Sequence, residues 1–283
     1  MTRRCAVLGS PIAHSLSPVM HRTAYDALGL DWTYDALAVT LDGLDAFLRG
    51  LDPSWRGLSL TMPLKRAVLP MLDGLDEHAR LSQAANTVVL GEDGRLGLNT
   101  DVPGAAAAMA ERLTDPVRSA VVLGGGATAT SVLVALAARG CASARLLVRD
   151  PARAQQTAAI VRSLPDGMQL DVGRLDDVGE VVGDLIVSTV PAAAQTPELV
   201  AACAGVPAVF EVVYDPWPTP LAKAAEDTGR PLITGLDLLA HQALLQLEAM
   251  TGGAVEVDLL RDAGREELAR RAVQNAPQPP TVS

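Results

Sequence analysis

Short apolar runs alternate along this chain with longer stretches rich in alanine and leucine. The runs are predicted to form strands at 5–8, 34–39, 57–60, 86–90, 119–123, 145–148, 185–190, 208–213 and 231–233. Most of the stretches between them have the length and composition of helices. Strands that alternate with helices form parallel sheets with helices on both faces, so the pattern predicts an α/β fold.

Two breaks in this alternation indicate more than one domain. Near residues 102–118 the helical run Pro103–Leu113 ends at Thr114-Asp115-Pro116, and a new strand pattern follows. After the last predicted strand, Gly235 opens another helical stretch. The proline-rich end of the chain, residues 275–283, is expected to be disordered.

The composition is that of a globular protein rather than a disordered one. Hydrophobic residues make up 49% of the 283 residues and charged residues 20%, enough for two modest domains. The net charge of -10 and the lack of a basic patch argue against a nucleic-acid partner. No apolar run approaches the roughly 18 residues that span a bilayer, so no membrane partner is expected.

Cysteine usage and the first residues point to the cytoplasm. Met1-Thr2-Arg3-Arg4 leads straight into a predicted strand and not into the apolar segment of a signal peptide. Cys5, Cys141 and Cys203 are far apart, so they are expected to be reduced thiols buried like small hydrophobic residues. Without Cys/His spacing or a carboxylate cluster, no metal site is expected.

Two hydroxyl groups follow the first predicted strand. Ser15 and Ser17 lie in the segment Gly9–His21, and Pro18 makes Ser17 a candidate N-cap of a helix. Hydroxyls near the positive end of a helix suit a small carboxylated or polyhydroxylated ligand. The same residues also fit an ordinary strand–turn–helix unit with a capping serine.

A glycine-rich turn joins the strand at 119–123 to a helix. The turn reads Gly124-Gly125-Gly126-Ala127-Thr128-Ala129, with Ala129 at the place of the third glycine in G-x-G-x-x-G, where alanine is accepted. Glycines let the backbone approach a pyrophosphate, and the helix N-terminus favours its charge. Such a turn alone is weak evidence, but between a strand and a helix it predicts a dinucleotide site.

The next predicted strand ends at Arg149-Asp150-Pro151-Ala152-Arg153. An NAD site usually carries an acidic residue here for the ribose, whereas arginine accommodates the 2′-phosphate of NADP. Arg149 and Arg153 can face one side of the helix start, and their forked guanidinium groups suit phosphate. NADP is therefore favoured, although a solvated helix start is the alternative. Asp150 can repel the phosphate or cap the helix, and we favour capping.

Six segments, in order along the chain, together resemble the shikimate dehydrogenase family. They are Gly9–His21, Ser59–Lys65, Ala85–Thr87, Asn99–Asp101, Tyr214–Leu221 and Gly235–Gln242. The resemblance implies a substrate-binding α/β domain over 1–103 completed by 236–274, a Rossmann-like NADP-binding domain over 104–235, and a cleft between them. It also matches a phosphate clamp Asn-Arg-Thr-x-x-Arg, from which Val148 and Asp150 depart.

The resemblance implies that Lys65 is the general acid/base and Asp101 its partner. Hydride addition to a ketone leaves negative charge on oxygen, which then needs a proton. Without the resemblance, Lys65 would be interpreted as a surface lysine and Asp101 as a helix N-cap. The division of roles between them stays open because a close pair titrates as a unit.

The remaining site residues follow from the same resemblance. Ser15 and Ser17, with Tyr214, are expected to bind a substrate carboxylate. Ring hydroxyls are expected to contact Thr61, Asn86, Asp101 and Gln242. Gly235 and Leu238 are expected to line the nicotinamide.

The implied activity is reversible NADPH-dependent reduction of 3-dehydroshikimate to shikimate, a step towards chorismate and aromatic amino acids. Two alternatives stay open: a quinate/shikimate or aminoshikimate dehydrogenase using either nicotinamide cofactor, and a non-catalytic metabolite sensor. The pair Ser15 and Ser17 favours shikimate, since relatives that accept quinate often carry threonine at the second place. Lys65 and Asp101 argue against the sensor. A monomer or a homodimer is expected.

Overall fold

The computed structural model describes residues 2–165, 167–177, 179 and 181–275. The described strands form two six-stranded sheets. The tail expected over 275–283 lies outside the described residues, except for Asn275, which ends the last helix. Within the described ranges, no helix is both long and apolar enough to cross a bilayer.

The strands fall into a first and a second half of the chain. The first sheet contains β1 (Arg3–Gly9), β2 (Trp32–Ala38), β3 (Trp55–Leu60), β4 (Gly74–Leu75), β5 (Thr87–Gly91) and β6 (Gly94–Leu98). The second sheet contains β7 (Ser119–Leu123), β8 (Ser143–Val148), β9 (Gln169–Arg174), β10 (Leu185–Ser188), β11 (Ala208–Glu211) and β12 (Leu232–Thr234).

Helices connect most of these strands. They are α1 (Ser17–Ala27), α2 (Leu41–Arg49), α3 (Leu64–Ala67), α4 (Glu77–Ser82), α5 (Asp101–Arg112), α6 (Ala127–Ala138), α7 (Gln155–Arg162), α8 (Pro197–Ala202), α9 (Pro220–Asp227), α10 (Gly235–Thr251) and α11 (Val257–Asn275). Short 3₁₀ turns occur at Leu69–Met71, Pro151–Ala154 and Ala192–Ala194.

The second sheet is parallel throughout, as the alternation of strands and helices predicts. Its strand order is β12-β11-β10-β7-β8-β9, so the chain reverses direction across the sheet between β7 and β10. Ligands of open α/β sheets bind at such a reversal, beyond the carboxyl ends of the strands. The glycine-rich turn after β7 lies at this point.

The first sheet is mixed, so the prediction of an all-parallel sheet is wrong there. β1 pairs in parallel with β2 and β3, but β5 runs antiparallel to both β3 and β6. Gly91 pairs with Gly94, which leaves a two-residue hairpin loop between β5 and β6. A parallel crossover needs a dozen or more residues, so this connection can only reverse the chain.

Three of the described strands, β4, β6 and β9, have no counterpart among the nine predicted apolar runs. β4 is only two residues long, too short to form an apolar run. β9 lies at the edge of the second sheet, and none of its residues is fully buried. Its sequence, Gln169–Arg174, is therefore largely polar, because an edge strand beside solvent needs few apolar side chains.

The last two helices return to the first sheet. α10 begins directly after β12, yet Leu236, Ala240 and Leu247 pack into one hydrophobic cluster with Val7 and Met20 of the first half. α11 packs against α1 and α10. The chain therefore passes between the sheets twice, once through α5 and once at the start of α10, and these two helices contact each other.

Candidate active site

A cavity of about 150 Å³ lies between the two halves of the molecule. Its walls come from β3, α1, α3, α5, the start of α6, the loop after β11 and α10. Seven of the residues expected to contact substrate line it: Ser15, Ser17, Thr61, Lys65, Asp101, Tyr214 and Gln242. Asn86 is the eighth; it is buried and contacts Asp101 and Gln242.

The Lys65–Asp101 pair is the charged centre of the cavity. Lys65 Nζ donates to Asp101 Oδ2 at 2.5 Å, and the two side chains are only 13% and 6% exposed. α3 holds Lys65 immediately beyond β3, while Asp101 is the first residue of α5. The alternative of Asp101 as an N-cap is wrong, because Thr100 occupies that position. The carboxylate is thus free to bind Lys65.

The buried side-chain amides of Asn86 and Gln242 support the Lys65–Asp101 pair. Asn86 Nδ2 lies 2.9 Å from Asp101 Oδ1 and 3.0 Å from Gln242 Oε1, while its Oδ1 accepts from the backbone N–H of Thr100. Asn86 and Gln242 are both buried. Because buried amides must be paired, this network fixes the orientation of the Asp101 carboxylate.

The serine segment differs from prediction in one respect. α1 begins at Ser17 itself, with Leu16 at the N-cap position, so Ser17 does not cap the helix. Ser15 instead binds a backbone N–H group at the start of this helix, because its Oγ accepts from the N–H of Ser17 at 3.3 Å. Both serines line the cavity, and Ser17 is buried against Tyr34.

A buried polar network behind the serines was not predicted. Tyr34 donates to Ser59 Oγ at 2.6 Å, and Ser59 donates to Gln246 Oε1 at 2.9 Å. His21 stacks on Tyr34 with ring centroids 4.1 Å apart, and its Nε2 lies 3.3 Å from the same Gln246 oxygen. Burial lowers the pKa of His21 to about 4, so the ring is neutral at neutral pH.

These residues come from α1, β2, β3 and α10, so no local spacing indicates them. Ser59 and His21 stand in segments that the sequence singles out, Ser59–Lys65 and Gly9–His21, but neither was predicted as a site residue. Ser59 and Gln246 also line the cavity, which extends the polar wall beyond the predicted residues.

Tyr214 lies in the loop after β11 and is held on two sides. Burial raises the pKa of its phenol to about 12, and a backbone hydrogen bond from Leu16 and the charge of Arg271 oppose that rise.

The loop that carries Tyr214 is anchored by Glu211, a fully buried carboxylate. Glu211 accepts from Gln195 Nε2, from the hydroxyl of Thr219 and from the backbone N–H of Val213. Glu211 was not predicted as a site residue.

Gly235 and Leu238 line the cavity from the start of α10. A capping box between Thr234 and Asp237 begins this helix. A Cβ at Gly235 would lie 2.1 Å from the carbonyl oxygen of Val212, so only glycine fits there. The close approach brings the start of α10 against the Tyr214 loop.

The glycine turn borders a second cavity of about 290 Å³, which also reaches Lys65 and Met62. Gly124 has φ +98°, which disfavours any other residue. Gly126 is the N-cap of α6 without a side-chain cap, and a Cβ there would meet nothing within 4 Å. The first turn of α6 therefore borders this cavity with no side chain capping its N–H groups, which fits a pyrophosphate.

Arg66 joins the two halves across this second cavity. Its Nη2 donates to Thr130 Oγ1 at 2.9 Å and to Thr157 Oγ1 at 3.0 Å, and its Nη1 donates to Gln156 Oε1. Arg66 lies on α3 beside Lys65, whereas its partners lie on α6 and α7. It was not predicted, because an arginine after a lysine is an ordinary surface pattern.

Arg149 and Arg153 line neither of these two cavities and are both exposed. Asp150 Oδ1 accepts from the backbone N–H of Ala152 at 3.0 Å, so the prediction that Asp150 caps the following turn is confirmed. Asp150 Oδ2 also lies 3.7 Å from Arg153 Nε. The carboxylate is therefore occupied by local partners.

The three cysteines are buried free thiols, as predicted. Among the described residues, no group of three or more His, Cys, Asp or Glu side chains could hold a metal ion.

Comparison with known proteins agrees with this geometry. The family profile of the shikimate dehydrogenase substrate binding domain matches residues 7–88. The chain is 31% identical to the shikimate dehydrogenase (NADP(+)) of Desulforamulus reducens, over 95% of this chain and 97% of the relative. The crystal structure of Mycobacterium tuberculosis shikimate dehydrogenase superposes with a TM-score of 0.82 at 36% identity, covering 93% of this chain and 99% of that chain. The Thermus thermophilus enzyme in complex with NADP(H) and shikimate superposes with a TM-score of 0.78 at 32% identity, covering 94% and 99%.

Proposed function

The chain belongs to the shikimate dehydrogenase family, and from that premise we propose that it catalyses the reversible, NADPH-dependent reduction of 3-dehydroshikimate to shikimate. The observation that carries the proposal is the Lys65–Asp101 pair, buried at the wall of a cavity that hydroxyl and amide groups surround. A metabolite sensor has no need of a mobile proton on a buried lysine, whereas a ketone reductase has.

The proton in this reaction belongs to Lys65. As the ketone becomes an alcohol, its oxygen gains negative charge, and Lys65 Nζ donates the proton that neutralises it. In the oxidation direction Lys65 accepts that proton back. Asp101 fixes the position of Nζ through its Oδ2 and is itself oriented by Asn86. When bound, NADPH supplies the hydride.

Different residues bind the carboxylate and the ring hydroxyls of the substrate. Ser15, Ser17 and Tyr214 bind the carboxylate, since hydroxyl groups can all donate to an anion. Thr61, Asn86, Asp101 and Gln242 bind the ring hydroxyls. These hydrogen bonds give orientation, which brings the reacting carbon and oxygen to Lys65.

The cofactor site in the proposal is the second cavity and its edge. Gly124, Gly125, Gly126, Ala127, Thr128 and Ala129 hold the pyrophosphate, and the open space above Gly126 fits such a group. Gly235 and Leu238 lie beside the nicotinamide. Arg149 and Arg153 bind the 2′-phosphate, for which their exposure leaves room.

The domain assignment is part of the proposal. Residues 1–103 and 236–274 form the substrate-binding domain, and residues 104–235 form the NADP-binding domain, in agreement with the membership of the two sheets. We further propose a monomer or homodimer that works in the cytoplasm. Buried reduced thiols support that compartment.

Absorbance of NADPH during turnover tests the proposal. The purified protein is assayed with shikimate, quinate and aminoshikimate, each with NADP and with NAD. We expect the highest kcat/KM with shikimate and NADP. Faster turnover of quinate or aminoshikimate would show that this compound, and not shikimate, is the preferred substrate. No turnover with any combination of substrate and cofactor, together with measurable shikimate binding, would favour a sensor.

A further inference from the structure

The loop that carries Ser15 is tied from behind by the last helix. Arg271 Nη1 donates to the carbonyl oxygen of His14 at 2.8 Å, and its Nη2 donates to that of Ser15 at 3.2 Å. Arg271 lies near the end of α11, more than 250 residues further along the chain. Two parallel bonds from one planar group fix the direction of both carbonyls.

Ser15 forms a thin wall between two spaces. Its one side faces the active-site cavity, and its other side faces an outer groove of about 460 Å³. Arg271 lines the outer groove and does not line the active-site cavity. It therefore acts on the site through the loop and not by touching a substrate.

The cluster of Arg270, Arg271 and Glu267 carries a net positive charge. Glu267 accepts from Arg271 Nε at 2.7 Å and also from Arg270, so one carboxylate serves two guanidinium groups. These arginines lower the pKa of Glu267 to about 2, which keeps it ionised at neutral pH. Arg271 is also close enough to Tyr214 to favour ionisation of its phenol, although burial and Asp215 oppose it.

We propose that Arg271 is a positioning residue for the substrate carboxylate, and this inference rests on the proposed function. By binding the carbonyl oxygens of His14 and Ser15, it turns two negative dipole ends out of the anion site. It also places a positive charge behind the serines, which favours an anionic group on the other side of the wall.

Arg270 provides a matched control. It is the neighbouring residue on α11, it binds the same Glu267, and its side chain is 55% exposed against 23% for Arg271. Arg270 makes no hydrogen bond to the serine loop. Any effect of Arg271→Ala that Arg270→Ala lacks is therefore due to the loop contact and the inner charge.

The experiment measures kcat and KM for shikimate and for its methyl ester in the full chain. Arg271→Ala should raise KM for shikimate roughly tenfold, as loss of hydrogen bonds to a charged group does, with kcat within about twofold. The ester lacks the anion, so its KM should change much less. Arg270→Ala should leave both substrates unchanged.

Two further variants separate the contributions. Arg271→Lys keeps the charge and should recover most of the lost affinity, whereas Arg271→Gln keeps an N–H₂ donor group without the charge and should recover less. If Arg271→Ala does not fold, as judged by its melting temperature, these two variants carry the test. Equal KM changes for shikimate and ester, or an Arg270→Ala effect as large as that of Arg271→Ala, would overturn the inference. A parent protein without shikimate turnover would instead overturn the proposed function.

Discussion

The two ends of the candidate site are built in opposite ways. At the substrate end, Lys65, Asp101, Asn86 and Gln242 are mostly buried and bind one another. At the proposed cofactor-phosphate end, the side chain of Arg153 is 86% exposed and lies 3.7 Å from the carboxylate of Asp150, three residues earlier. Packing preorganises the first end, whereas the arginines proposed for the second end are exposed to solvent.

The difference predicts how substitutions behave. A group inside a buried network supports both the fold and the chemistry, so its removal leaves partners unpaired. Removal of an exposed arginine changes the free energy of unfolding little. It weakens only the binding of a phosphate that the arginine contacts. Substitutions at the two ends should therefore separate turnover from cofactor choice.

The largest effect is expected at the buried end. Lys65→Ala should lower kcat by at least about a hundredfold, because the alcohol oxygen then lacks its proton donor. Turnover is measured by NADPH absorbance and the fold by circular dichroism. Lys223→Ala, which removes an exposed lysine paired with Asp227, is the control. Near-normal turnover in folded Lys65→Ala would remove Lys65 from its role.

At the exposed end, the double variant Arg149→Ala with Arg153→Ala should abolish the preference for NADPH over NADH. Each charge-assisted contact contributes about 1.5–3 kcal/mol, so the parent preference should be roughly a hundredfold or more. The loss should come from weaker NADPH use, with NADH little changed and the melting temperature unaltered.

Two controls accompany this measurement of kcat/KM with both cofactors. Arg162→Ala removes another exposed arginine of the same half and should keep the preference. Asp150→Thr should keep or modestly strengthen it, because the Asp150 carboxylate already caps the turn. A parent that prefers NADH, or a double variant that still discriminates, would contradict the arginine clamp.

A smaller effect is expected for Ser15→Ala. It should raise KM for shikimate several-fold with little change in kcat, since the hydroxyl binds ground and transition states alike. Ser17→Thr, by comparison, should relax the exclusion of quinate. Steady-state kinetics with both substrates checks this pair. Equal efficiency of the parent on quinate and shikimate would show that no such exclusion exists.

The smallest effect concerns stability and pH at the buried end. The pKa of His21 is about 4 in the folded protein, against an ordinary value of 6.5. Below pH 6.5 the unfolded chain therefore binds a proton at His21 that the folded protein does not bind. Stability should fall as pH drops from 6.5 towards 4. Urea unfolding of the parent and of His21→Gln between pH 8 and 5 measures this contribution. A variant with the same slope below pH 6.5 as the parent would contradict it.

Much of the second sheet and its glycine turn could be predicted, because buried parallel strands are continuous apolar runs. The polar strand β9 and the reversal at β5 could not, since the first lies beside solvent and the second depends on a loop of two residues. Ser17 was wrongly expected to cap α1, as a Ser-Pro pair is compatible with either of two adjacent starting points.

The residues of the candidate site also differ in whether the sequence could predict them. Lys65 and Asp101 stand in short segments that resemble family motifs, and the structure brings them within hydrogen-bond distance. Gln246, Arg66 and Arg271 act through partners far away in sequence, so their positions could be found only from the folded chain.

The return of the last helices to the first sheet also bears on biosynthesis. The ribosome releases Val7 and Met20 early, but Leu247, which packs with them, only after the whole second sheet has emerged. At about 5–20 residues per second, that delay is roughly 11 to 45 seconds. The second sheet can fold during translation, whereas the N-terminal half waits with part of its apolar surface uncovered. Until α10 emerges and covers it, this apolar surface is prone to aggregation.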